Sequence, residues 1–304
     1  MCKKVSLTIV AAIIACSNNL CAQPHIVPHI PPAGHIRVPA DGTTIPMQDL
    51  NGWPVIELRI NGKGPYRFLL DTGATITMVS EELNRELALS MPADSLAAPA
   101  DGPAPPPTVT MHEVGIGDAM LEDLIAVVAP AGMLLKGKDA PRGVLAAASF
   151  PGYLLTYDYP GKRISIKKGS LQEADSRSIF QYSDDQALPT VPLRICGRET
   201  EVHLDTGSPF GLTLPVRFLK ELTLTTQPKE SGEVRTGGGG EFPVLVARVD
   251  GEIEIGKYRL ESGEVRFSDA RPGPGPATGN IGYEVLRHFM VTVDSKNLRI
   301  QLSQ

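Results

Sequence analysis

The chain has 304 residues, of which 42% are hydrophobic and 21% are charged. These fractions exclude a disordered chain, and the length allows two domains of ordinary size. The net charge is −5 at pH 7 and no long basic run is present, which argues against nucleic acid as a partner. The 30 glycines and 27 prolines favour many short strands joined by turns over a helical bundle.

The N-terminus is predicted to be an export signal. Two lysines precede an apolar run over residues 5–15, which is too short to cross a bilayer and is typical of a secretory signal peptide. Two processing sites remain open. Ile-Ile-Ala-Cys at 13–16 resembles a bacterial lipobox, which would make Cys16 a lipidated N-terminus, whereas cleavage after Ala22 would remove residues 1–22. The mature protein is therefore expected in the periplasm, on the outer membrane as a lipoprotein, or secreted, and only a lipid anchor would attach it to a membrane.

Cysteine usage agrees with export, because three of the four cysteines lie in the first 21 residues and only Cys196 belongs to the body of the chain. A single cysteine cannot form an intrachain disulfide, and Cys196 is expected at a turn with Gly197. Residues 23–44 are rich in proline and histidine and are expected to form a tether or an edge strand. No Cys/His spacing suited to zinc occurs, so no metal or cofactor is expected.

The first lobe is predicted to span residues 45–168. An alternating apolar run at 55–60 meets the turn Asn61-Gly62, a strong hairpin signal, and the chain returns as a strand that ends at Asp71. Ser80, followed by two glutamates, is expected to cap a short helix. The remaining strands of this lobe are expected at 109–116, 124–128, 143–146, 153–157 and 163–167.

A polar linker is expected at residues 169–186, followed by a second lobe at 187–304. Residues 191–195 are a predicted strand, Cys196-Gly197 is a turn, and a second strand ends at Asp205. The later elements of this lobe are expected to be a short helix at 215–222 and strands at 247–255, 264–267, 290–293 and 298–302.

The two halves repeat the same order of segments. Asp71-Thr72-Gly73 and Asp205-Thr206-Gly207 are 134 residues apart, and Thr156-Tyr157-Asp158 and Thr292-Val293-Asp294 are 136 residues apart. A nearly constant offset over the whole length indicates an internal duplication. Since no long helices separate the strands, the shared topology is predicted to be all-β and mainly antiparallel, and one chain would form a monomer with pseudo-twofold symmetry.

Each Asp-Thr-Gly triplet follows an apolar strand, so its turn presents a carboxylate at a strand end. If Asp71 and Asp205 meet near the pseudo-twofold axis, repulsion between like charges prevents both from ionising, and the pair holds one proton. The ionised acid can then take a proton from water while the protonated acid polarises a carbonyl. That chemistry hydrolyses an amide without a metal.

The residues beside the two acids are expected to support them. The hydroxyls of Thr72 and Thr206 can fix the two loops, and Gly73 and Gly207 can bring a backbone N–H close to the carboxylates. A single triplet of this kind also occurs in purely structural turns, but two copies in matching repeats favour a paired-acid site.

This arrangement resembles the aspartic peptidases of the pepsin and retropepsin type, as two retropepsin-like lobes fused in one chain. Asp-Thr-Gly-Ala-Thr at 71–75 and Asp-Thr-Gly-Ser-Pro at 205–209 are similar to the active-site loops of that family. Asn-Ile-Gly at 280–282 is similar to the later motif that supports such a loop.

The resemblance implies two β-barrel lobes with a cleft between them, no cofactor, and a peptide or protein substrate held extended across the cleft. Asp71 and Asp205 would be the catalytic pair, and Ile281 and Gly282 would support their loops. The possible flaps would be the loop over 97–112 and the glycine-rich tip made of Gly237, Gly238, Gly239 and Gly240.

The first lobe departs from the family pattern at one position. Val144-Leu145-Ala146 stands where two apolar residues and a glycine are expected, and the added methyl group is expected to crowd the Asp71 loop. The alternative to an aspartic endopeptidase is therefore a catalytically inactive protein of the same fold that binds a peptide or an envelope ligand. A serine hydrolase is not supported, because no serine motif has a partner histidine.

Overall fold

The computed structural model describes residues 10–11, 34–91, 107–129, 133–134, 137, 139–183, 188–236, 241–260, 263–270 and 277–304. Cys16, the glycine-rich tip and residues 97–106 of the other flap candidate lie outside these ranges, whereas residues 108–112 belong to a strand. No helix in these ranges is long and apolar enough to cross a membrane. The described residues form mostly short strands, which confirms the all-β prediction.

The strands of the first half, in chain order, are β1 (Val10–Ala11), β2 (His35–Arg37), β3 (Thr43–Pro46), β4 (Gln48–Leu50), β5 (Trp53–Ile60), β6 (Lys63–Asp71), β7 (Met78–Ser80), β8 (Thr108–Ile116), β9 (Ala119–Ala129), β10 (Gly143–Ala146), β11 (Tyr153–Asp158) and β12 (Arg163–Lys168). Those of the second half are β13 (Ile179–Gln181), β14 (Thr190–Ile195), β15 (Arg198–Leu204), β16 (Leu212–Leu214), β17 (Lys229–Thr236), β18 (Glu241–Arg248), β19 (Ile253–Ile255), β20 (Tyr258–Leu260), β21 (Glu264–Phe267), β22 (Gly279–Ile281), β23 (Met290–Asp294) and β24 (Arg299–Ser303). The helices are α1 (Glu81–Leu87) and α2 (Tyr283–Leu286), with 3₁₀ turns at Ala147–Ser149 and Val216–Lys220.

The strands form three sheets. The first lobe has the order β2-β9-β7-β10-β6-β5-β4, with β8 paired to both β5 and β9. The second lobe has the order β1-β17-β18-β21-β16-β22-β15-β14-β19-β20. A six-stranded sheet, β13-β24-β23-β11-β12-β3, takes three strands from each lobe and joins them. The predicted two-lobed architecture is therefore confirmed.

The six-stranded sheet contains the pseudo-twofold axis. β11 and β23 pair in antiparallel orientation, with Thr156 opposite Thr292 and their hydroxyl oxygens 2.9 Å apart. These threonines are equivalent residues of the sequence repeat, and the pair Leu155–Val293 on one side of them has its counterpart in Tyr157–Val291 on the other. The duplication seen in the sequence is thus a twofold relation in the fold.

Several local predictions are confirmed at the level of single residues. Asn61 and Gly62 have φ values of 50° and 76°, the left-handed conformation that a tight hairpin turn between β5 and β6 requires. The Ser80 hydroxyl accepts a hydrogen bond from the Leu83 N–H at 3.1 Å and so caps α1. Cys196 lies in the turn between β14 and β15, with φ of 50°.

Three segments differ from their predictions. The strand expected at 247–255 is two strands, β18 and β19, because the chain turns at Gly251, where φ is 133°. The helix expected at 215–222 is only a 3₁₀ turn. The expected linker at 169–186 contains β13, which pairs with β24 at the edge of the six-stranded sheet.

Candidate active site

The two acids lie at the ends of equivalent strands. β6 ends at Asp71, and β10 runs parallel beside it with Ala146 opposite Asp71. β15 ends one residue before Asp205, and β22 runs parallel beside it. The exposed fractions of the two acids are 2% and 5%, and their carboxyl groups are hydrogen-bonded to each other between the lobes. The fold therefore brings the two predicted acids together.

The threonines of the two triplets hold the loops against each other. Thr206 Oγ1 accepts a hydrogen bond from the Thr72 N–H at 3.0 Å and donates one to the Leu70 carbonyl at 2.9 Å. Thr72 Oγ1 accepts from the Thr206 N–H at 3.0 Å and donates to the Leu204 carbonyl at 2.6 Å. Both side chains are buried, so water does not compete for these bonds. The four bonds obey the pseudo-twofold symmetry and fix the position of one acid relative to the other.

Gly73 and Gly207 allow the carboxyl groups to approach closely. The Gly73 N–H donates to Asp71 at 2.7 Å, and the Gly207 N–H donates to Asp205 at 2.9 Å. A Cβ added at Gly73 would lie 2.6 Å from an Asp205 carboxyl oxygen, and one added at Gly207 would lie 2.6 Å from an Asp71 carboxyl oxygen. Any side chain at either position would therefore collide with the acid of the opposite lobe.

The surroundings of the pair favour one shared proton. Burial raises the pKa of Asp71 well above its ordinary value, and the charge of Asp205 raises it further. Burial also raises the pKa of Asp205, but the Asn280 amide and the Gly207 N–H stabilise its charged form. The hydrogen bond that Asn280 donates to Asp205 favours Asp205 as the acid that ionises and Asp71 as the acid that keeps the proton, and the two titrate as a coupled pair.

Asn280 makes the two acids unequal. Its amide nitrogen Nδ2 donates to Asp205 Oδ2 at 3.1 Å. The equivalent residue in the first lobe is Val144, which offers no donor to Asp71. Asn280 is absent from the sequence-based site, although a polar residue in an otherwise apolar motif is a signal that could have found it.

Ala146 is accommodated by a change in hydrogen bonding. In the second lobe the Gly282 N–H donates to the Gly211 carbonyl, and a Cβ at Gly282 would collide with the carbonyl oxygen of Ser208. In the first lobe Thr77 takes the place of Gly211, and its hydroxyl accepts from the Ala146 N–H at 3.2 Å. The acceptor for the backbone N–H at this position is therefore a side-chain hydroxyl in the first lobe and a backbone carbonyl in the second. The first triplet keeps its internal hydrogen bond, so the crowding expected from the sequence does not displace it.

Two further contacts support the second triplet. The Ile281 carbonyl accepts the Asp205 N–H at 2.9 Å, in agreement with the supporting role expected for this motif. The indole N–H of Trp53, from the first lobe, donates to the Gly207 carbonyl at 2.7 Å, a contact between the lobes that the sequence did not reveal. Among the residues that the structure describes, no three His, Cys, Asp or Glu side chains are placed to hold a metal ion.

Comparison with known proteins agrees with this geometry. A search of curated proteins finds no significant match. A family model described as aspartyl protease matches residues 56–147 and 191–285, one region in each lobe. Together the two regions cover more than half of the chain, and each contains one Asp-Thr-Gly triplet. The chain belongs to the aspartyl protease family.

Proposed function

We propose that the protein is an aspartic endopeptidase that hydrolyses peptide bonds with a water molecule activated by Asp71 and Asp205. The observation that carries the proposal is the pair of buried carboxyl groups, hydrogen-bonded to each other between the lobes. Membership of the aspartyl protease family supports hydrolysis of this kind. The substrate is a peptide or protein, held extended between the lobes.

The asymmetry of the pair assigns the two roles. Asp205, whose charged form accepts hydrogen bonds from Asn280 and Gly207, takes a proton from water as the water oxygen bonds to the carbonyl carbon. Asp71, which keeps its proton, donates a hydrogen bond to the carbonyl oxygen as negative charge develops there. When the C–N bond breaks, Asp205 returns its proton to the leaving nitrogen, and two free peptide ends result.

The alternative, an inactive protein that only binds a ligand, was favoured by Ala146 alone. The Ala146 N–H is bound by the Thr77 hydroxyl and the first triplet keeps its internal hydrogen bond, so no contact in the described part of the site speaks against catalysis. We therefore prefer the endopeptidase.

Cleavage of an unfolded protein substrate between about pH 3 and pH 7 tests the proposal. Asp71→Asn and Asp205→Asn are each expected to lower kcat/KM by at least about 10³-fold, because the acids act as a unit. Asp118→Asn, at an exposed turn, is the matched control and is expected to cleave like the wild type. A folded wild-type protein that cleaves nothing over this range, or an Asp205→Asn variant that retains activity, would contradict the proposal.

We also propose that the endopeptidase acts outside the cytoplasm, as the basic and apolar N-terminus predicts. Mass spectrometry of the mature protein from a bacterial host would distinguish a chain that starts at Gln23 from one that starts at a lipidated Cys16. A protein that retains Met1 and remains in the cytoplasm would contradict export.

A further inference from the structure

The two lobes present different side chains beside the acids. Residues two apart on a strand point to the same face, so Leu69 shares the face of Asp71, and His203 shares the face of Asp205. Strand pairing extends each of them into a row of four side chains that crosses the sheet next to the acid. We call the row in the first lobe the apolar row: Leu69, Val144, Met78 and Val127. We call its counterpart in the second lobe the polar row: His203, Asn280, Thr213 and Arg266.

The apolar row belongs to a hydrophobic cluster that is separate from the main core. All four of its residues are buried in that cluster, together with Trp53 and Ala146. The partly buried side chains of Ile76 and Met133 pack against the cluster from loops. The surface next to Asp71 is therefore hydrophobic and suits an apolar side chain.

The polar row has unsatisfied hydrogen-bonding capacity next to Asp205. His203 is 6% exposed, and neither of its ring nitrogens has a hydrogen-bond partner. The side-chain oxygen of Asn280 is also buried without a partner, while the amide nitrogen of the same residue is bound to Asp205. Buried polar groups nearly always have partners in folded proteins, so these groups suit a polar rather than an apolar side chain of a ligand.

Arg266 gives the polar row its charge. Its guanidinium carbon lies 3.7 Å from the centre of the Phe210 ring, which leaves the N–H groups at the edge of the guanidinium plane available. Burial lowers the pKa of Arg266, and the charges of Glu284 and Glu264 oppose that shift. Neither glutamate forms an ion pair with Arg266, and the guanidinium makes no hydrogen bond within the described residues. A half-buried arginine whose guanidinium has no hydrogen-bond acceptor among the described residues is suited to bind a carboxylate of a ligand.

We propose that the endopeptidase selects an acidic residue on one side of the cleaved bond through the polar row and an apolar residue on the other side through the apolar row. This inference rests on the proposed function. In an extended peptide successive side chains point in opposite directions, so the residues flanking the bond face different lobes. The carboxylate would bind Arg266, and the hydroxyl of Thr213, which can donate a hydrogen bond, would line its path.

The distance across the sheet favours glutamate over aspartate. Arg266 on β21 is separated from β15 by two strands, which places its backbone about 14 Å from the strand that leads to Asp205. The guanidinium stacks on Phe210, which follows Asp205 by five residues in the same loop. The longer side chain of glutamate covers the remaining distance better than that of aspartate.

The test uses a set of fluorogenic peptides that each contain one leucine. The residue before or after the leucine is varied and is glutamate, glutamine or lysine. At pH 5.5 a glutamate side chain is ionised, since its ordinary pKa is about 4.3. The wild type is expected to cleave between leucine and glutamate with a kcat/KM about 10- to 100-fold higher than between leucine and glutamine. Arg266→Ala is expected to abolish that preference, and Arg266→Glu is expected to shift it towards lysine.

Arg259→Ala is the matched control, because Arg259 is an exposed arginine on β20 at the far edge of the same sheet. It removes the same charge and is expected to keep the wild-type preference. A wild type that cleaves the glutamate and glutamine peptides equally well, or an Arg266→Ala variant with an unchanged preference, overturns the inference and leaves the endopeptidase intact.

Binding of the same labelled peptides to the Asp205→Asn variant, measured by fluorescence anisotropy, separates this inference from the proposed function. If the wild type cleaves nothing, but the variant binds the glutamate peptide more tightly than the glutamine peptide and loses that preference with Arg266→Ala, the endopeptidase fails, and only the recognition of glutamate by the polar row stands. If no peptide is cleaved and the glutamate and glutamine peptides bind the variant equally tightly, the proposed function and this inference are both contradicted.

Discussion

Replacing Thr206 by valine tests whether the contact between the two triplets holds the lobes together. Valine keeps the shape of threonine but loses the hydroxyl, so no cavity forms. The Thr72 N–H then loses its acceptor and the Leu70 carbonyl loses its donor, both in a region where Thr206 is fully buried. Each buried group left without a partner costs about 1–3 kcal/mol. Thr206→Val is therefore expected to lower the free energy of unfolding by about 2–6 kcal/mol.

Thr206→Ser separates the contribution of the hydroxyl group to stability from that of the methyl group. Serine retains both hydrogen bonds and loses one buried methyl, which corresponds to about 1 kcal/mol. Urea titration is the assay, with tryptophan fluorescence as the signal. The chain has a single tryptophan, and the Trp53 indole donates to the Gly207 carbonyl, so its emission reports the same contact between the lobes. A Thr206→Val variant no less stable than Thr206→Ser would refute the reasoning.

Four other predictions concern the acids. Asn280→Val removes a donor to Asp205 and raises the pKa of that acid, so the acidic limb of the kcat/KM profile should move to higher pH. Val144→Asn gives Asp71 a hydrogen-bond donor and lowers its pKa, so the fall of kcat/KM on the alkaline side of the profile should move to lower pH. Profiles of kcat/KM against pH that match the wild type would contradict the predictions for Asn280→Val and Val144→Asn. Gly207→Ala should lower kcat/KM by on the order of 10²-fold, because the added Cβ would collide with Asp71. A Gly207→Ala variant with the kcat/KM of the wild type would contradict the close approach of Gly207 to the Asp71 carboxyl group. Asp71 has a raised pKa in the folded state, so it destabilises the fold as pH rises above its unfolded pKa. Asp71→Asn should therefore raise Tm at pH 7 in calorimetry but not at pH 3, and an equal shift at both would contradict the linkage.

The features that could be predicted from sequence are those that depend on neighbouring residues. The turn at Asn61-Gly62 needs a left-handed conformation that these residue types adopt readily, and the helix cap at Ser80 needs only a hydroxyl and the next turn of chain. The two Asp-Thr-Gly triplets are predictable from sequence for the same reason, because each consists of the end of an apolar strand followed by a glycine. The constant offset between the halves then led to the two-lobed fold.

The features that could not be predicted depend on pairing between distant strands. The apolar alternation around Gly251 continues on both sides of the turn, so one long strand and two short ones look alike. β13 joins the six-stranded sheet by pairing with β24, more than a hundred residues later. Arg266, Thr213 and Asn280 form a row only through the registers of three strands, which no local pattern specifies.

Duplication explains the position of the acids but not their chemistry. Two identical halves would give two carboxyl groups with the same pKa, and neither would be the preferred holder of the single proton. One difference lies at a single position in the supporting strand, where Asn280 donates to Asp205 and Val144 cannot donate to Asp71. The same position opens the polar row on one side and the apolar row on the other. This position therefore favours Asp205 as the base and Asp71 as the acid, and it contributes to the difference between the two sides of the proposed cleft.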